Sequence, residues 1–328
     1  MSALIPQNGP AAEERPSFSQ NVIALVWDFD KTLSPHDMQR PIFRKFGVDE
    51  RAFWDEVNAL AAQYRERGVT VNPDLLYLNH LLSAVAGGLF KGLNNALLRE
   101  LGREIELFEG LPEFFDQARS WLEAEKYRSF DLKLEHYIVS AGLKELILGS
   151  AMAGHVDGVW ACEFIEDPTP PQGCAGKSPY PQGQIAQIGY AIDNTTKTRA
   201  IFEINKGVNK HPDLLHVNSR IPTYQRRVPI ENMIGVGDGP SDIPAFSVLR
   251  QGRGGCLAVY EPGSERSFEQ VNRLLAAGRV DFVGPAQYKE GTPTAMWLKS
   301  RVIGIADRIV RARASSLLAS GTSLPRHS

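Results

Sequence analysis

The sequence predicts an α/β protein, with a mainly parallel sheet, helices on both faces and an all-helical segment inserted after the first strand. Three observations lead there. From Gly110 onward, apolar runs of strand length alternate with stretches of helical period, the order that builds parallel sheets covered on both sides. Two of the apolar runs, 22–27 and 233–236, stop abruptly in aspartate-rich turns, and ligands in open α/β sheets bind beyond the carboxyl ends of the strands. Between about 36 and 108 the apolar residues recur only at helical spacing.

Taken in order, the elements follow from local chemistry. Residues 1–20 and 313–328 are rich in Pro, Ser and small residues and are expected to be flexible tails. Asp49 can cap a helix carrying Phe53, Trp54, Val57, Leu60, Ala61 and Tyr64, with Trp54 and Tyr64 assigned to core packing. Asn72-Pro73 is a cap and first-turn pair for a helix with Leu75, Leu78, Leu82 and Val85. A third helix is expected over 94–104. Pro112 opens a helix presenting Phe114, Phe115, Ala118, Trp121 and Leu122, followed by a strand over 136–139 and a helix from Leu143. Extended pieces flank the Pro/Gly-dense stretch 167–184, which reads as the loop of a hairpin. Helices are expected over 196–205, from Ser241, over 265–277 and over 292–311, with strands over 233–236, 256–260 and 280–283. The domain expectation is therefore an α/β core from 21–35 and 109–312, with a helical insertion over 36–108.

The chain has 328 residues, a net charge of −2, 43% hydrophobic and 23% charged residues, an ordinary globular composition. The near-neutral charge gives no electrostatic reason to expect nucleic acid or an anionic membrane as partner. Three cysteines without Cys-x-x-Cys spacing exclude a disulfide framework and a zinc ribbon. The opening twenty residues lack the charged-then-apolar pattern of a signal peptide, and the longest charge-poor segment, 75–90, is too short to span a bilayer. A cytoplasmic protein is expected; the sequence does not specify its oligomeric state.

Four stretches carry chemistry. Val22-Ile-Ala-Leu-Val-Trp-Asp28-Phe-Asp30-Lys-Thr32 ends a buried strand in two carboxylates two residues apart. They can hold a hard cation and attack or protonate an anionic substrate, or form an ordinary turn. His136-Tyr-Ile-Val-Ser140-Ala-Gly142 runs a strand into a hydroxyl and a glycine, which either bind an anion at a helix start or merely cap that helix. Asp193-Asn-Thr-Thr-Lys197 places a cation in or beside a first helical turn, which opposes the helix dipole by roughly 0.3–1 kcal/mol unless the charge is paired. Gly235-Val-Gly-Asp238-Gly-Pro-Ser-Asp242 again runs a strand into acids. Together they supply a nucleophile, a metal site and groups to neutralise equatorial oxygens, the set that phosphoryl transfer requires.

With these four motifs in this order over residues 21–285, the chain resembles the haloacid dehalogenase (HAD) superfamily, whose core is Rossmann-like, and within it the phosphoserine-phosphatase-like branch, which carries a helical cap after the first motif. The resemblance implies a Mg²⁺-dependent phosphatase acting on a small phosphorylated metabolite through an aspartyl-phosphate. Asp28 would be the nucleophile and Asp30 the general acid and base. Asp28, Asp30 (through its carbonyl), Asp238 and Asp242 would hold or order the metal, and Thr32, Ser140, Ala141, Gly142 and Lys197 would bind phosphate. Asp30 argues against the dehalogenase branch. A phosphotransferase or mutase on the same site, or a silent binding protein, are the alternatives. His36, Asp37, Asn79 and His80 are the candidates for substrate specificity. Asp37 matches the acid that reads the amine in that branch. No arginine stands around Leu76–Leu82 to read a carboxylate, so phosphoserine itself is not implied. Arg220, Arg226 and Arg227 lie in the long loop before the fourth motif, where they either reach an anionic substrate or are solvated.

Overall fold

A computed structural model of the chain describes residues 16, 18–173, 180 and 182–321. Its sheet has seven strands: β1 (Val22–Trp27), β2 (Lys133–Leu143), β3 (Gly158–Glu166), β4 (Ile185–Tyr190), β5 (Met233–Gly237), β6 (Gly255–Tyr260) and β7 (Phe282–Pro285). They lie in the order β4-β3-β2-β1-β5-β6-β7, with β4 antiparallel to β3 and every other pairing parallel. β1 is central and buried along its whole length, which is why it is a continuous apolar run rather than an alternating one.

The two faces of β1 meet different helices, as its two-residue period requires. Trp27 stacks on Phe115 of α5 (Glu113–Ser120) at 4.9 Å between centroids and meets Tyr288 edge-on. Its Nε1 donates to His136 Nδ1 at 3.2 Å. Burial holds His136 well below its ordinary pKa, so it packs as a neutral ring against Phe115. Val26, on the other face, lines a small space with Ile201 of α8 (Lys197–Lys206) and Phe246 and Leu249 of α9 (Ile243–Gln251). α10 (Glu265–Ala276) and α11 (Pro293–Gly321) complete the layers around β6 and β7.

The insertion after β1 holds α1 (Arg40–Phe46), α2 (Glu50–Glu66), α3 (Pro73–Ala86) and α4 (Asn95–Leu101). Two caps sit where the sequence places them, with Asp49 accepting from the Ala52 N–H at 2.7 Å and Asn72 from Asp74 at 3.0 Å, and Asn94 adds a third by accepting from Leu97 at 2.8 Å. Each satisfies an N–H that the helix itself leaves unpaired. Phe43, Phe53 and Phe90 cluster inside, with centroids 4.9–6.2 Å apart. The β3–β4 hairpin ties this layer to the core: the Ile185 N–H donates to Leu93 O at 3.0 Å, Gly92 N–H to Gln184 Oε1 at 2.6 Å, and Asn95 Nδ2 to Phe164 O at 3.1 Å.

Three expectations change. β2 does not stop at residue 139 but continues through Ser140 to Leu143, because Leu143 still registers with Cys162 of β3 across an irregularity. The helix behind it, α7 (Lys144–Gly149), therefore starts later and Ser140 does not cap it. The expected tail at 313–328 is helical as far as Gly321, where the Ala- and Leu-rich run simply extends α11. Residues 1–15 and 17 of the N-terminal tail lie outside the described residues; 18–20 are held, with Phe18 against His211 and Gln20 Nε2 donating to Thr223 O at 2.8 Å. No helix among the described residues is long and apolar enough to cross a membrane.

Candidate active site

Because β1 and β5 are neighbours in parallel register, with Trp27 opposite Val236, their carboxyl ends deliver acids to one place. Asp28 follows β1 directly, and its N–H continues the ladder by donating to Val236 O at 2.8 Å. Asp238 follows β5, and Asp242 closes the single 3₁₀ turn Pro240–Asp242. Carboxylate oxygens of Asp28, Asp238 and Asp242 all lie within 4.8 Å of one another. Gly237 makes this possible: a Cβ there would stand 2.2 Å from Asp242 Oδ2.

Lys197 is the first residue of α8 and is 3% exposed. Its Nζ reaches Asp28 Oδ1 at 2.9 Å and Asp242 Oδ1 at 2.7 Å. Burial works against its charge, but the two carboxylates outweigh burial and hold it firmly protonated. The unfavourable placement at a helix start is thereby offset by two close anions.

One cation does not neutralise three carboxylates. Burial, then the neighbouring Asp242, pushes Asp28 up to about 6 in spite of Lys197. Burial, then Asp28, raises Asp238 well above the usual carboxylate range. Asp242 Oδ2 is buried with no hydrogen-bond partner. An unpartnered carboxylate oxygen and two neighbours whose burial favours a proton form the all-oxygen donor set that a hard divalent cation fits.

Asp30 sits beside this cluster, its Oδ1 accepting from the Met38 N–H at 2.9 Å. Burial, then Asp37 and Asp28, holds its pKa well up, so it retains a proton under conditions where a surface aspartate would not. The turn that follows carries Lys31 in the left-handed region at φ 59°. On the far side, Ser140 Oγ accepts from the Gly142 N–H at 3.0 Å. The end of the Met38 side chain packs against Gly142, where a Cβ would stand 2.5 Å from Met38 Sδ and push it aside.

These groups open into a cavity of about 360 Å³ between the carboxyl ends of the strands and the helical insertion. Of the residues expected from the sequence, Asp28, Asp30, Asp37, Ser140, Ala141, Gly142, Lys197 and Asp238 line it, and Asp242 stands behind its floor against Lys197. Thr32 does not line it; that side chain is wholly buried, and its carbonyl accepts from Tyr288 OH at 2.6 Å. The expected specificity residues His36, Asn79 and His80 also stay outside. His36 faces Glu106 at 3.6 Å, His80 pairs with Glu56 at 3.0 Å, and Asn79 is exposed on α3. Arg226 and Arg227 are far from the chemistry: Arg227 grips Glu135 near the start of β2, and Arg226 reaches Asn205 and Ile221. Arg220 does not line the cavity either.

The insertion supplies what sequence reasoning missed: Trp54 and Asn58 on α2, Asp74 and Tyr77 on α3, with Gln39 before α1. Trp54, assigned to core packing, faces this cavity. The signal was available in spacing, since Trp54/Asn58 and Asp74/Tyr77 each share a helix face at four- and three-residue steps. Which face turned toward the acids depended on docking that no local pattern contains. Three contacts set it: Tyr77 OH donates to Ala141 O at 2.5 Å, Asn72 Nδ2 to Asp193 Oδ2 at 2.8 Å, and the Asn194 N–H to Asp74 Oδ2 at 3.4 Å.

No protein-family model matches the chain. An uncharacterized protein of Borreliella burgdorferi is 34% identical over 288 residues, spanning 86% of this chain and 97% of that one. Among solved structures, the chain is similar to a probable phosphoserine phosphatase from Vibrio cholerae in unliganded form, with TM-score 0.47 and 14% identity over 89% of this chain and 68% of that one. A HAD family hydrolase from Salmonella enterica serovar Typhi aligns with TM-score 0.46 and 14% identity, covering 82% and 68%. A phosphoserine phosphatase in a phospho-aspartyl intermediate analogue form aligns with TM-score 0.45 and 18% identity, covering 85% and 99%. At such identities the chemistry rests on this chain's own residues.

Proposed function

This chain belongs to the same family as the Borreliella burgdorferi protein, and we propose that it is a phosphatase of the haloacid dehalogenase type, hydrolysing a small phosphomonoester on Asp28. The observation that carries this reading is the cluster at the ends of β1 and β5: Asp28, Asp238 and Asp242 within 4.8 Å, bridged by the buried Lys197, with a proton-retaining Asp30 beside it.

Asp28, Asp238 and Asp242 would hold Mg²⁺, which when bound neutralises charge on the phosphoryl oxygens and on the carboxylates themselves. Lys197 restrains the Asp28 carboxylate and offers a positive charge to a phosphate oxygen. Ser140 and the backbone at Ala141 and Gly142 face the same space from the opposite side. In the first half-reaction an Asp28 oxygen forms a bond to phosphorus while the bond from phosphorus to the leaving oxygen breaks. Asp30 gives that oxygen its proton. In the second, the Asp30 carboxylate takes a proton from water as the water oxygen bonds to phosphorus and the bond from phosphorus to the Asp28 oxygen breaks. Inorganic phosphate leaves and Asp30 is protonated again. The insertion over the cavity limits access to small substrates and excludes bulk water during transfer.

The test is phosphate release from p-nitrophenyl phosphate in Mg²⁺, with Asp28→Asn alongside. Release by the parent and loss of at least ~10³-fold in the variant is expected, because removing a covalent nucleophile removes the pathway. A variant as active as its parent would place the chemistry elsewhere.

A further inference from the structure

The part of the cavity beyond the phosphate end has an uneven charge. Its lining contributes Lys31, Asp37 and Asp74. Lys31 is already answered by Asp37 at 3.2 Å, which leaves Asp74 in surplus. At the chemical end, Lys197 is committed to Asp28 and Asp242, and among the described residues no arginine lines the cavity. A divalent cation and a phosphate dianion cancel one another there. A leaving group with a carboxylate or second phosphate would therefore enter a negative space with no cation left for it.

Two further features point to what enters instead. Gln39 is 3% exposed and lines the cavity, and its Oε1 has no hydrogen-bond partner, so a buried acceptor waits for a donor. The Trp54 and Tyr77 rings, 5.8 Å apart between centroids, form an aromatic corner of the same wall. Aromatic faces with nearby carboxylates and a bare carbonyl oxygen are how proteins hold an ammonium group.

We propose that the substrate is the phosphomonoester of a short amino alcohol, its ammonium held by Asp74 and Gln39 Oε1 against Trp54 and Tyr77. This deepens the phosphatase reading and rests on it. Asp74 lies one turn before Tyr77 on α3, so both reach the leaving group from one helix face. The preference is built into the insertion rather than into the catalytic cluster.

The experiment compares kcat/KM for phosphoethanolamine with 2-hydroxyethyl phosphate, its neutral isostere, and with 3-phosphoglycerate and phosphoserine, which add a carboxylate. p-Nitrophenyl phosphate serves as reference. The aminoethyl ester should exceed the hydroxyethyl ester at least tenfold, and the carboxylate-bearing esters should fall below both. Asp74→Asn should reduce the aminoethyl-to-hydroxyethyl ratio about tenfold, whatever change the two substrates share. Hydrolysis of the aryl ester with no amine preference would overturn this proposal and leave the phosphatase reading standing. No hydrolysis of the aryl or any other ester would overturn both.

Discussion

Gly237→Ala tests the site at its tightest point. The added Cβ would stand 2.2 Å from Asp242 Oδ2 and 2.5 Å from its Cγ, whereas real Cβ atoms essentially never come within 3.0 Å of such neighbours. The carboxylate must therefore retreat by roughly 0.8 Å, or β5 must shift by as much, and overpacking of this kind costs about 1–3 kcal/mol. A retreat on that scale stretches the 2.7 Å contact with Lys197 to the limit of hydrogen bonding and spreads the carboxylate cluster. Misplacement of about 1 Å typically costs ~10²-fold in turnover. The variant should remain folded by circular dichroism, lose roughly 10²-fold in aryl phosphatase kcat, and need more Mg²⁺ for half-maximal rate. Parental kcat and Mg²⁺ dependence would mean that the placement of Asp242 contributes nothing, and the geometry argued for the cation site would be wrong.

Mg²⁺ should also stabilise the protein against urea, by about 2.7 kcal/mol at a hundredfold excess over its dissociation constant. The stabilisation should grow as pH rises through about 6: the folded-state pKa of Asp28 is raised to that value, so below it a proton occupies the carboxylate that the cation needs. A Mg²⁺-induced shift independent of pH between 5 and 7.5 would argue against Asp28 as a ligand. Arg227→Ala, far from the site, should cost about 3–5 kcal/mol in urea titration at pH 7 by leaving Glu135 buried without its counter-charge, while Arg227→Met with Glu135→Leu should recover most of it. A single variant within 1 kcal/mol of the parent would show that the pair is solvated instead.

The acids gathered at the strand ends were legible because the signal for them is local. An apolar run that stops at Asp28 or Asp238 states its own burial and its own end, and Lys197 stood out by opposing a helix dipole for no local gain. The gain is non-local: two carboxylates from other elements surround it. What sequence could not convey was which helix faces turn inward. Trp54 and Tyr64 both fit the period of α2, yet only Trp54 lines the cavity, and the difference is made by contacts from α3 to Ala141, Asp193 and Asn194. The end of β2 failed for a similar reason. Ser140-Ala-Gly reads as a break in local terms, but pairing with β3 carries the strand on to Leu143.

The molecule also contains its own control for what a buried acid does when its role is structural. At the other end of β2, Glu135 accepts from Arg227 Nη1 at 2.7 Å and Nη2 at 2.5 Å, and from Tyr137 OH. Burial alone would raise its pKa, yet these donors outweigh burial and leave it lowered. Its contribution to stability is accordingly in place above the ordinary carboxylate range and is lost as pH falls through the lowered value. The acids at the ends of β1 and β5 are only partly satisfied, with Asp28 and Asp238 raised and Asp242 Oδ2 unpartnered. The same fold thus gives one buried carboxylate its own guanidinium and a hydroxyl, and leaves three others to share the single ammonium of Lys197, which reaches two of them. A surplus of negative charge that concentrated destabilises the protein alone, and a bound divalent cation would relieve it.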